Sequence, residues 1–139
     1  MDMAEALNVL MRWVHLTSAV TLIGGMLYGW LAASPALSTL ARDGAESAEA
    51  TAAGRFRPLV IAAIASFLVS GIYNLLTGPS HTFRYHLLLG IKLLLAAHVF
   101  AVSVLAVREK NPRRTRMMAG AAISGLIIIA ISAYLRRIY

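Results

Sequence analysis

The chain has 139 residues, of which 59% are hydrophobic and 14% charged, with a net charge of +7 and no cysteine. A soluble domain carries about 25% charged residues, so this composition excludes a water-soluble globule. The absence of cysteine excludes disulfides, thiolate metal sites and iron–sulfur clusters. The positive charge does not indicate nucleic acid, because most of the basic residues flank apolar stretches, where they report topology.

Four apolar stretches, near 13–34, 58–77, 87–107 and 117–135, each approach the ~20 residues that an α-helix needs to cross ~30 Å of hydrocarbon. The expected fold is all-α: one integral membrane domain spanning residues 1–139, built as a four-helix transmembrane bundle. The first stretch is too long and too rich in Gly and Thr for a signal peptide, and no A-x-A-like cleavage site stands out. Its small and polar residues, His15, Ser18, Leu22, Gly25 and Gly29, recur at helical spacing and end in the G-x-x-x-G of "GMLYG".

The connection over 35–57 is the only long one. Pro35 and Pro58 bracket an Ala-rich segment suited to a short cytoplasmic helix. The second span repeats the stripe with Ala63, Ser66, Ser70, Tyr73 and Thr77, and the Gly-Pro pair of "TGPSHTFRYH" marks a turn that exposes His81. The fourth span continues the pattern with Ala121, Gly125, Ile128 and Ser132. Helices in lipid associate through small residues and interhelical hydrogen bonds, so these three stripes predict a closed bundle.

The third span is different. "FRYHLLLGIKLLLAAHVF" carries His86, Lys92 and His98. Successive members are six residues apart, a turn of about 240° at 3.6 residues per turn, so the three point in different directions. No carboxylate lies within a span, since Asp2, Glu5, Asp43, Glu46, Glu49 and Glu109 all fall outside. Lys92 therefore needs a counter-charge from a ligand, a lipid or a terminus. His15, Ser70 to Asn74, His86, Lys92 and Ser132 converge on the half of the bundle that holds the termini, and Arg12, Arg84, Arg136 and Arg137 rim that end. His98 lies deeper.

A histidine facing a second ligand across helices is how a bundle holds haem b. His15, His86 and His98 are the candidate metal ligands, with His86 or His98 opposite His15. Lys92, Arg12 and Arg84 are placed to hold the propionates. This reading predicts a b-type haem protein acting as an electron-transfer or oxidoreductase component, with a redox partner or quinone. Copper is the rival ligand. Met11 and His15 share a helix face, and thioether with imidazole suits Cu(I), as in a copper-handling or small-solute transport protein. Yet there is no M-x-x-x-M motif, Met117 and Met118 fall at the opposite end, and methionine also serves as apolar filler. A third reading is an accessory subunit without a ligand. A homo-oligomer is expected because so small a bundle leaves much lipid-facing area.

"MRWVHLTSAVTLIGGMLY" resembles the first span, and "RYHLLLGIKLLLAAHVF" the third, of small four-helix membrane proteins of two groups. These are the copper-resistance D-type domain and the HemJ-type protoporphyrinogen oxidases. In the HemJ type a first-helix His and a third-helix Lys, associated with haem b, are functional; the resemblance assigns these roles to His15 and Lys92. That family has a compact His-x-Lys in its third span, whereas here His86 precedes Lys92 by six residues.

Four spans put both termini on one side with Arg12, Arg84, Arg136 and Arg137. Eight basic residues (Arg42, Arg55, Arg57, Arg108, Lys110, Arg113, Arg114 and Arg116) lie on the other. The positive-inside rule predicts a bacterial inner-membrane protein with both termini outside. Single cysteines placed at 108–116 should resist a membrane-impermeant thiol reagent in intact cells; labelling there would invert the orientation.

Overall fold

The computed structural model describes residues 2–78 and 82–138. His81, expected in an exposed turn, lies outside the described residues. The chain forms α1 (Met3–Tyr28), a π-helical segment (Gly29–Ala33), α2 (Ser34–Leu37), α3 (Arg42–Thr77), α4 (Phe83–Ala106) and α5 (Arg114–Ile138), with no strand among the described residues. Four of these helical stretches are long and apolar enough to cross a membrane. The protein is an all-α, multi-pass membrane protein, as expected.

α1 starts before the apolar stretch. Asp2 accepts from the Glu5 amide at 2.7 Å while Glu5 accepts from the Asp2 amide at 3.0 Å, a reciprocal cap that satisfies two otherwise orphaned donors. At its far end, Pro35 has no N–H for the Leu31 carbonyl and would crowd it in a regular helix. The widened π-turn of Gly29–Ala33 takes up that misfit, so the helical path continues to Leu37.

The second long helix differs from expectation. The segment over 42–57 is not a separate helix, because α3 runs unbroken through Pro58 for 36 residues. At 1.5 Å per residue that is about 54 Å, well beyond the hydrocarbon thickness. Its Ala-rich sequence favours helix, and packing secures it: Ala53 is buried, and Phe56 packs its ring against Gly25. The extension therefore folds over the loop end of the bundle.

The stripes read from sequence face inward. Ser18, Leu22, Gly29, Ala63, Ser70, Ala121, Gly125 and Ile128 are all buried. The G-x-x-x-G of α1 accepts side chains rather than another backbone, with Gly25 seating Phe56 and Gly29 seating the Met118 thioether. Gly125 in turn lets α5 approach Ile23. Around this core, large apolar residues such as Leu16, Val20, Leu68, Val69, Leu76, Leu93 and Leu94 are exposed, as lipid-facing positions should be.

The bundle is not closed on every side. α4 and α5 share the most extensive interface and α1 packs on α3 and α5, but α3 and α4 touch only lightly. A cleft remains between them.

Arg114, one of the topology-setting arginines, is also a structural clasp. It is 7% exposed and donates to the carbonyls of Ala106 (3.0 Å), Arg108 (2.6 Å) and Glu109 (3.0 Å) beyond the end of α4, and to Glu49 of α3 (3.2 Å). A planar fork of five donors matches this set; an ammonium does not. Arg114→Ala should therefore destabilise the protein by about 3 kcal/mol, with Arg114→Lys recovering only part of the loss, as read from thermal denaturation in detergent.

Candidate functional site

The site begins with a hydrogen bond between helices. His15 of α1 places Nδ1 3.0 Å from Ser70 Oγ of α3. Ser70 is fully buried, and its hydroxyl lies 2.7 Å from the Ser66 carbonyl and 3.2 Å from that of Phe67. A hydroxyl has one proton to donate. With that proton on the backbone, Ser70 Oγ must accept from His15, so neutral His15 carries its proton on Nδ1 and leaves the Nε2 lone pair unused. The imidazole packs on Phe67 with ring centroids 4.1 Å apart and an interplanar angle of 34°. Phe67 meets Phe100 of α4 edge-on at 5.4 Å. The ring is thus fixed on one side, and its free nitrogen is available.

Two cavities flank this imidazole. The first, about 210 Å³, lies among all four spans and includes Leu22, Val99, Ile128 and Ser132 in its walls. The second, about 320 Å³, occupies the α3–α4 cleft and includes Gly71, Asn74, Tyr85 and Leu89. His15, Phe67, Lys92, Ala96 and Phe100 line both. Lys92 therefore shares His15's chamber. Asn74 also lines an open polar vestibule at the terminal end with Glu5, Asn8, Arg12 and Thr77. Tyr73 closes the side of this end by donating to Asn8 Oδ1 at 2.9 Å.

The other predicted residues are scattered. Arg12 lies in the vestibule, one turn from His15. Arg84 is exposed at the start of α4, and the neighbouring His86 is exposed with its ring edge-on to Tyr85 at 5.8 Å. His98 is exposed and lies against Gly120 of α5. Neither His86 nor His98 lines either of these two cavities, so the structure does not bring a second imidazole to His15 there. Among the described residues no three His, Cys, Asp or Glu side chains cluster as a metal site. Sequence reasoning passed over Phe67 and Phe100, whose ring stacking is invisible to spacing, and it set aside Met118. Met118 and Met26 line a third cavity of about 250 Å³ at the loop end, together with Gly29, Ser34, Glu49, Phe56 and Arg114.

These features define a multi-pass helical membrane protein with one oriented imidazole and one intramembrane lysine around a shared chamber. Residues 3–79, more than half of the 139-residue chain, match the family model described as copper resistance protein D-like, N-terminal domain. The chain belongs to that family. The matched segment contains α1, the π-helical segment, α2 and α3, and hence His15 and Ser70; Lys92 lies beyond it. Neither curated proteins nor solved structures gave a match.

Ser70→Ala removes the acceptor of the His15 Nδ1–H, and should cost about 1–2 kcal/mol in denaturation assays in detergent. Gly71→Ala serves as the neighbouring control. Its new methyl would meet His15 Cε1 at 3.5 Å, an ordinary contact, so stability should stay close to that of the parent protein.

Proposed function

We propose that this chain handles copper at a bacterial inner membrane, conducting the ion between the terminal side, outside the cell, and the cytoplasm. The observation that carries this reading is the position of His15, which lines both cavities with its Nδ1 held at Ser70, within the segment matched by the copper-resistance family. An imidazole held by a hydroxyl on its other nitrogen is a competent ligand, because the second-shell bond fixes tautomer and orientation. Lys92 sets the character of the chamber. An intramembrane lysine costs about 2.5–3.5 kcal/mol near a helix centre, and no carboxylate within the spans offsets its charge. A cation beside it is repelled and not retained. His15 thus acts as a transient ligand on a path, in a chamber unsuited to storing metal.

Copper accumulation in cells expressing the full chain tests the reading. His15→Gln, which keeps a hydrogen-bonding side chain but removes the imidazole, should lower copper accumulation to the level of cells without the protein. The visible spectrum of the purified protein supplies the opposing outcome. A haem Soret band lost on His15→Gln, with copper accumulation unchanged, would replace copper handling with haem binding.

A further inference from the structure

We propose that the cavity at the loop end of the bundle is a Cu(I)-binding site whose soft ligands are the thioethers of Met26 and Met118. The proposal rests on the copper-handling reading and deepens it by placing the cargo in the molecule.

Met26 sits on α1 with 1% exposure and Met118 on α5, so the cavity of about 250 Å³ has one thioether from each of two facing helices. The backbone makes room for the second. A Cβ on Gly29 would collide with Met118 Sδ, and the bare Cα of glycine lets the sulfur lie against α1, one turn along from Met26. Gly29 also opens the π-helical segment, whose end, Ala33, and following residue, Ser34, form part of the same wall. Such widened turns are frequent at functional sites.

The donor chemistry selects the ion. The cavity wall contains neither imidazole nor thiol. Thioether sulfur is a soft ligand that suits Cu(I), whereas Zn(II) and Cu(II) favour nitrogen and Mg(II) and Ca(II) favour oxygen. Side-chain oxygen in the wall comes from Tyr28, Ser34 and Glu49. Ser34 Oγ already accepts from Thr115 at 2.9 Å, and Glu49 is paired with Arg114.

Electrostatics separates this cavity from the His15 chamber. Both have a basic residue in their walls, but Arg114 is matched by Glu49 at 3.2 Å while Lys92 has no carboxylate. The loop-end cavity therefore presents no uncompensated positive charge to a monovalent cation. Between the two lies a plug of buried side chains including Leu22, Val60, Ala121 and Ala122, and Met26 belongs both to this plug and to the cavity wall. The ion leaves the repulsive chamber, passes the plug and rests on sulfur.

Cu(I) binding is measured anaerobically on the purified full chain in detergent, with bicinchoninate as the competing chelator. Leucine replaces methionine at nearly constant volume, so Met26→Leu, Met118→Leu and the double variant should remain folded. Each single change should weaken binding about tenfold or more, on the scale of losses at metal centres, and the double change should abolish it. Gly29→Ala, which pushes the Met118 sulfur aside while keeping both methionines, should also weaken binding. Wild-type binding that the double variant fully retains would overturn the thioether site and leave the copper reading standing. A wild-type protein that neither binds Cu(I) nor alters cellular copper would overturn both.

Discussion

An ammonium group inside the membrane with no carboxylate to meet it governs the arrangement of this bundle. Lys92 cannot be packed among alkyl chains as Leu95 or Val99 can, because the cost of a dry, unpaired charge exceeds what close helix contact returns. The helices around it keep their distance. α3 and α4 touch only lightly, and the space they leave forms the cleft and chamber that Lys92 lines. The Phe67–Phe100 contact bridges the gap, and the His15–Ser70 bond ties α1 to α3 beside it. The chamber thus gives the side chain of Lys92 a place that a closely packed helix pair would not.

The opposite end solves the same problem by a different route. Arg114 is more deeply buried than Lys92, yet it is paired with Glu49 and bonded to three carbonyls near the end of α4. Its charge is used to close the structure. The two buried cations are therefore accommodated differently: Lys92 lines an open chamber with no carboxylate in its wall, while Arg114 is paired and tied down.

Much of this was legible in the sequence, and the reasons are periodic. Hydrophobic stretches of span length gave four membrane helices, and small residues at steps of three and four gave the buried faces of α1, α3 and α5. The 240° offset along α4 separates Lys92 from His98, and the structure places the first in the chamber and the second against Gly120. What escaped depends on tertiary context. Pro58 reads as a helix boundary, yet α3 continues through it, with Phe56 in the Gly25 notch and Glu49 on Arg114 anchoring its N-terminal part. A closed bundle was expected because stripes report which face turns inward, not how near the neighbouring helix comes. Met118 was set aside for lying at the wrong end, a judgement made on depth before Gly29 had shown what faces it.

The widened turn at Gly29–Ala33 has a geometric consequence for everything that follows it in α1 and α2. One additional residue in a helical turn steps the register of the remaining side chains by about 100° around the axis. Ser34, which would otherwise face elsewhere, is brought under Thr115 and sealed from the surroundings. The turn thus works as a phase shifter between two helical segments that share one path. Loss of a single residue there would return the helix to uniform winding, rotate Ser34 out of its contact with α5, and leave the hydrophobic pattern of the span almost untouched.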